Sequence, residues 1–490
     1  MKRQFLLFNL IKWGLVAALL IGSLGKIQAE GSKDFRDYPG YRLFFNAEQS
    51  QQLKVYVAEG ETINIGTSHI GISSGFISVY RPDGTLFYVF NGSDGVGFIN
   101  NDVEELAGPT GGGTTNGTGY IPAIVNVSNG ESGIWTVKFE YPTYSTASFD
   151  NLMNNASWNR FDQPVDQRVV LAWDITVSQG GAANMDGTML EGRVYSNEYI
   201  SIQNGNDIMT SPSFFILTKD GFQYRIDFKD TDPWGFPIFS NSVGLAQPDG
   251  SPCYESAEQS DYNRSGLTEK WTVGNKYLYE PQSQDEGNLI NNKIFFNPPD
   301  PNMPSEAMVT DIKTYNTHTT WLYRTLVEAG PKFENVVFKG VQQSNSICSL
   351  DNVTEEGKGG VINFAVSTSG TAKIALDFNE NGVFDDAIDR TYFRRVEAGT
   401  NELIWDGKDG QGNIVEATVD LRINYKLEMR GGEIHIMMLD VENNPGGVSF
   451  TRLNGVESPS KEYFYDHSAI GGGISGNEQG GNARATVEPY

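Results

Sequence analysis

Ala372-Lys-Ile-Ala-Leu-Asp-Phe-Asn-Glu-Asn-Gly-Val-Phe-Asp-Asp-Ala-Ile-Asp389 runs from an alternating apolar segment straight into an acidic loop. The alternation over Ala372 to Leu376 predicts a half-buried strand. The acidic loop has the D-x-N-x-N-G opening of an EF-hand-type calcium loop, at Asp377, Asn379, Asn381 and Gly382. Ca²⁺ takes about six to eight hard oxygens, so alternate polar side chains aim inward and the glycine permits the sharp turn. In that frame Val383 offers its carbonyl and Asp385 stands at the ninth position. The twelfth position holds Ile388, where an EF-hand needs a bidentate Glu; Asp386 or Asp389 could supply that carboxylate, as in calcium loops without two flanking helices. The alternative is a polar turn whose Asp and Asn side chains bond their own backbone. Either way the loop hangs on a strand, and that directs the reading toward an all-β fold.

Leu403-Ile-Trp-Asp-Gly-Lys-Asp-Gly-Gln-Gly-Asn-Ile-Val415 places two Asp-Gly steps between apolar anchors. Asp-Gly favours tight turns because glycine accepts positive φ at no steric cost. Trp405-Asp-Gly-Lys-Asp409 with Gly412-Asn413 resembles the turn of the FlgD-like immunoglobulin-type module. The loop from Asp377 to Asp386 resembles a D-F-N-x-D-G-x-F-D-D loop of secreted Bacteroidota modules, with Asn381 where those usually carry Asp. Leu439 to Gly447, with Phe450 and Arg452 to Gly455, is similar to a segment of large gliding-motility-associated surface proteins of that phylum. The resemblance spans roughly 333–470. It implies a secreted, multi-module surface protein, and it implies no catalytic residue.

Composition agrees with that class. The chain of 490 residues has room for several domains, and 39% hydrophobic and 12% aromatic content fills real cores. Glycine is abundant at 55 residues, and helix-forming runs are scarce, which favours tandem β-sandwiches. Met1 to Ala29 reads as a signal peptide: Lys2 and Arg3, an apolar core from Trp13 to Leu24, and Ile27-Gln28-Ala29 as the cleavage end. No Cys follows the cleavage point directly, and no later stretch approaches the roughly 18 apolar residues of a membrane span. Removing Lys2, Arg3, Lys12 and Lys26 with the leader takes the formal charge from −25 to −29. Such a surface repels nucleic acid and anionic membrane and attracts cations. Cys253 and Cys348 are the two cysteines. In an exported chain they are a disulfide candidate, worth about 4 kcal/mol if unstrained; two buried free thiols are the alternative.

The chain divides into a leader (1–29), a sandwich module (30–145), a β-rich module with long loops (146–332), the immunoglobulin-type module (333–465) and a Gly/Asn-rich linker (466–490). A chain ending in a linker points to further modules beyond residue 490. In the first module Phe76 to Tyr80 and Leu86 to Phe90 flank Arg81-Pro-Asp-Gly84 as a hairpin. Gly133-Ile-Trp-Thr-Val137 resembles the closing strand of jelly-roll accessory modules. In the second, Phe214 to Leu217 and Phe222 to Phe228 form another hairpin around Lys219-Asp-Gly221. Gly250 to Pro304 reads as a long polar loop, and Ser305 to Ala329 has a modest helical texture.

No catalytic set emerges. His69, His318, His435 and His467 have no zinc-ligand spacing. Gly71-Ile-Ser-Ser-Gly75 matches G-x-S-x-G by letter, but a strand follows Ser73 where a nucleophile elbow needs a helix. With 61 acidic residues, a chance carboxylate pair carries no weight, although a hydrolase within 146–332 would need such a pair in a cleft. Trp234, Phe236 and Tyr254 offer rings for sugar stacking, or simply core. The expectation is a non-enzymatic adhesin-like surface protein with calcium in its third module, in contact with cell-surface components. The rival is a carbohydrate-binding accessory region of a secreted enzyme, with extracellular polysaccharide as partner.

Overall fold

A computed structural model gives the fold. It describes residues 30–35, 44–46, 52–72, 74–110, 118–141, 158–162, 169–179, 189–197, 200–203, 210–233, 236–241, 263–264, 271–273, 276–277, 285 and 290–311. It further describes 316–324, 326, 333–340, 357–367, 370–384, 386–396, 399–416, 422–430, 434–438, 441–443, 445–455, 458–463 and 485–486. Among the described residues strand accounts for 54% and helix for 5%, and the sheets are antiparallel, so the fold is all-β.

One nine-stranded sheet organises the larger body. Its order is Val448–Arg452, Gln223–Phe228, Ser213–Leu217, Lys293–Phe295, Val194–Ser196, Gln52–Val57, Gly133–Glu140, Phe76–Tyr80, Leu86–Phe90. Both expected hairpins are there, as Phe76–Tyr80 with Leu86–Phe90 and Ser213–Leu217 with Gln223–Phe228. The sheet crosses position 145, where the sequence suggests a module boundary, and its far edge lies beyond residue 440. Leu53, Val55, Val57, Trp135, Val137, Phe139, Phe214, Ile216 and Ile294 share a core with Ile63, Ile65, Trp173, Ile175 and Val177. The last five belong to a four-stranded sheet ordered Met189–Leu190, Trp173–Gln179, Glu61–Thr67, Ala123–Asn126. A five-stranded sheet that ends in His435–Met438 adds Val170, Ile200 and Ile238 to the same core.

The other face of the large sheet is covered too. Tyr56, Ile134, Tyr195, Leu217 and Phe295 pack against Ala307, Val309, Trp321 and Leu322. Ala307, Val309 and Trp321 come from the antiparallel pair Glu306–Asp311 and Asn316–Trp321, and Leu322 directly follows it. The helical texture of Ser305 to Ala329 is therefore corrected within its described residues: they hold a hairpin. Ala307 and Val309 alternate inward, and the threonines of Asn316–Trp321 suit a pleated surface. The polar loop expected over Gly250 to Pro304 also gives way, because Lys293–Phe295 is a central strand between Val194–Ser196 and Ser213–Leu217.

Residues 333–430 form a separate small sandwich. One sheet is Phe333–Gly340, Gly360–Val366, Gly399–Trp405, and the other is Arg390–Val396, Gly370–Asp377, Asn424–Arg430. Ile362, Phe364, Leu403 and Trp405 of one face Ala372, Ile374, Leu376 and Tyr392 of the other. This unit is an insert. The chain is still against the body at Leu326 and is back in it with His435–Met438, which pairs with Phe236–Asn241. Val448–Arg452 then pairs with Gln223–Phe228.

Phe296 touches Phe35, Trp173 and Phe214 and so joins distant parts of the chain. Phe296→Ala should cost about 3–5 kcal/mol in urea denaturation of the whole protein. A loss below about 1 kcal/mol would contradict a close-packed shared core.

Candidate functional site

The acidic loop sits at one end of the insert. Asp377 closes the strand Gly370–Asp377, and Asp389 directly precedes Arg390–Val396. The pairing of these two strands fixes both carboxylates at the mouth of the loop. Asp377 is buried; its Oδ2 accepts the Gly382 N–H at 2.9 Å and the Asn424 amide at 3.1 Å, and its Oδ1 accepts the Asn379 N–H at 3.2 Å. Burial pulls this carboxyl up, but the bonds from Gly382 and Asn424 outweigh it and hold the group below its usual range. Asp389 accepts the N–H groups of Phe378 at 3.2 Å and Asp386 at 3.0 Å, and burial holds its carboxyl above the usual range. Gly382 takes φ 79° at the sharp turn, as the motif requires, and Glu380 takes φ 58°.

The rim of the loop is exposed. Asn379 and Asn381 donate from their amide nitrogens to Asp386 Oδ2 at 3.0 and 2.5 Å, and these bonds hold that carboxyl down. Asn381 Oδ1 accepts the Val383 N–H at 2.7 Å. The loop thus satisfies its oxygens internally, in the turn arrangement that competes with metal binding. Among the described residues, no three His, Cys, Asp or Glu side chains stand grouped to hold a metal ion. The donor chemistry nonetheless suits calcium: an Asn side chain turned half a revolution about its last torsion presents oxygen instead of nitrogen. Asp385 lies outside the described residues.

Arg390 ties this loop to the Asp-Gly turn. Its guanidinium pairs with Asp406 and donates to the Lys408 carbonyl at 3.0 Å. Trp405 Nε1 donates to that same carbonyl at 2.8 Å, and Gly410 N–H donates to the Ile388 carbonyl at 2.8 Å. A Cβ on Gly410 would stand 2.0 Å from the Asp389 carbonyl oxygen, so the two loops meet backbone to backbone. Asp409 accepts the N–H groups of Gln411 and Asn413 at 2.9 and 2.8 Å. Arg390 and Asn424 were not anticipated from sequence. Arg390 reads as an ordinary strand charge, and Asn424 meets Asp377 from 47 residues away.

Only some of the remaining candidates lie within the described residues. Ser73 is outside the described residues, but its loop is closed by bonds between Gly71 and Gly75, and Phe76–Tyr80 comes next as a strand. Nearby His69 is buried with Nδ1 2.8 Å from Thr67 Oγ1 and Nε2 3.0 Å from the Phe76 carbonyl. Both ring nitrogens are engaged. His318 lies in the hairpin over the second face, and the backbone of His435 begins a strand. His467, Trp234, Tyr254, Cys253, Cys348 and the leader lie outside the described residues. So does the side chain of Phe236, whose backbone begins a strand.

No protein-family model matches the chain, and no curated protein matches it. Among solved structures there is a weak likeness to a DUF4785 family protein from Legionella pneumophila, at 10% identity over 87% of each chain with a TM-score of 0.13. A likeness of that size carries no argument about fold or activity.

Burial holds the His69 imidazole down at about 4, against an ordinary 6.5. Its folded value is depressed, so its contribution to stability is complete above pH 6.5 and is lost as pH falls through about 4, in total about 3 kcal/mol. A nitrogen NMR titration should find the ring neutral at pH 5. A midpoint near 6.5 would be incompatible with the buried, doubly bonded ring.

Proposed function

We propose that the protein is an exported, non-enzymatic surface protein of adhesin type, whose inserted sandwich is stiffened by calcium. The observation that carries this reading is the loop from Asp377 to Asp389, clamped at both ends by paired strands of a filled sandwich. Asp377, Asn379, Asn381, the Val383 carbonyl, Asp385, Asp386 and Asp389 supply the oxygens. The ion cross-links the loop, and through Gly410 and Ile388 it also fixes the Asp-Gly turn. The acidic chain, at −25 overall, favours cations and disfavours nucleic acid. Export through the inner membrane to the cell surface rests on the leader and on the resemblance to gliding-motility-associated Bacteroidota proteins. Among the described residues no helix is long and apolar enough to cross a membrane.

A second reading, a carbohydrate-binding accessory region, draws on one feature of the body. The Phe161 ring is 72% exposed and lies over the Arg160 guanidinium at 5.0 Å, a flat platform of the kind that stacks on sugars.

Calorimetry with calcium on the leader-free protein should show binding that Asp377→Ala abolishes. At a hundred times the dissociation constant, calcium should add about 2.7 kcal/mol to the stability of the insert. An unchanged melt in excess chelator would remove the calcium reading. Retention on polysaccharide columns that falls in Phe161→Ala would favour the accessory reading, and equal retention of both proteins would exclude that platform.

A further inference from the structure

Glu30-Gly-Ser-Lys-Asp-Phe35 directly succeeds the expected cleavage point after Ala29, and the structure fastens this hexapeptide in several places. The Glu30 carboxyl oxygens accept three successive backbone N–H groups, from Gly192 at 2.9 Å, Arg193 at 3.0 Å and Val194 at 3.2 Å. The Glu30 carbonyl accepts the Ile175 N–H at 2.9 Å. Gly31 runs so close to the next strand that a Cβ there would stand 2.3 Å from the Trp173 carbonyl oxygen. Ser32 Oγ donates to Glu105 at 2.6 Å and accepts the Trp173 N–H at 3.0 Å. Phe35 ends the segment inside the core, its ring 5.3 Å from Phe214 and 5.6 Å from Phe296.

The dock is acidic on every side. Asp34 lies on the segment itself, with its Oδ2 3.4 Å from the Gly31 nitrogen. Asp174 is buried on the adjoining strand, Glu105 on the short helix Asp102–Ala107, and Glu191 lies on the loop before Gly192. Of the cations, Lys33 acts on both Asp34 and Asp174. Arg193 is held by Asp300 at 2.6 Å and Glu61 at 3.5 Å. Burial raises Glu30 to about 8, Asp174 to about 7 and Asp34 to about 6.

We propose that leader removal completes this dock, the α-ammonium created at Glu30 adding a positive charge beside the half-buried carboxylate of Asp34 and next to the buried Asp174, whose backbone bridges to Gly31. Hydrolysis of the Ala29–Glu30 peptide bond by the export peptidase adds the elements of water. Ala29 leaves with the leader as a carboxylate, and the Glu30 nitrogen takes up a proton. A neutral amide thereby becomes a cation one residue from the Asp34 contact at Gly31. The inference rests on reading 1–29 as a leader cleaved after Ala29, and cleavage then acts on the stability of the folded body as well as on its release.

The N-terminal mass of the exported protein tests the premise by itself: a chain that does not begin at Glu30 overturns both the leader reading and this inference. The charge is tested by comparing the whole chain beginning at a free Glu30 with the same chain acetylated on its α-nitrogen. At pH 7.5 the acetylated chain should melt lower by about 2–4 °C. The sign comes from the raised acids: their cost to stability is absent below pH ~4 and grows as pH rises toward their folded values. At pH 5, where Asp34 and Asp174 are protonated in the folded protein, the gap should close. Equal melting at both pH values overturns the proposal. A gap that is the same at both means that the acetyl group merely obstructs the dock, and it overturns the proposal as well. Asp34→Asn should narrow the gap at pH 7.5, and an undiminished gap removes Asp34 from the pairing.

Discussion

A β-strand carries two sets of side chains, and in Gln52–Val57 both sets leave water at every position. The rest of the body is shaped by that constraint. One face needs other sheets laid over it, and Glu61–Thr67, Trp173–Gln179 and their neighbours supply the cover. The second face needs a different one, which the hairpin of Glu306–Asp311 and Asn316–Trp321 provides. Covering both faces also buries polar groups that strand alternation delivers there. Lys54 donates to Thr136 at 2.9 Å across the ladder. Lys293 lies 3.9 Å from the centre of the Trp321 ring, and burial lowers its ammonium to about 7. These lysines are held by a hydroxyl and by an aromatic face, which limits the cost of taking a cation out of water.

What could be read locally was legible in the sequence. Alternation and Asp-Gly turns mark Phe76–Tyr80 with Leu86–Phe90 and Ser213–Leu217 with Gln223–Phe228, because hairpin partners are neighbours in the chain. Partners far apart left no such mark. Val194–Ser196 and Lys293–Phe295 are three residues each, too short for a period, yet they hold the middle of the large sheet. Lys293 and its Asn and Pro neighbours read as loop because only a covering hairpin makes their burial tolerable. The same logic explains the site. The spacing of Asp377, Asn379, Asn381 and Gly382 is local and visible, whereas Asn424 and Asp406 reach that end of the sandwich only through strand pairing.

The interrupted course of the chain has a mechanical meaning. Both ends of the insert meet the same body: Leu326 lies against Gly455 and Gly221 on the way out, and Ile434 and Ile436 pack on the main core on the way back. A pull applied between Glu30 and the far strand Val448–Arg452 is carried by the body's own ladders. The five paired residues joining Val448–Arg452 to Gln223–Phe228 take the load first. The small sandwich hangs beside that line of force as a side loop, slack for as long as the body holds. Under such a pull the ladder would have to unzip before any stress reached the acidic loop.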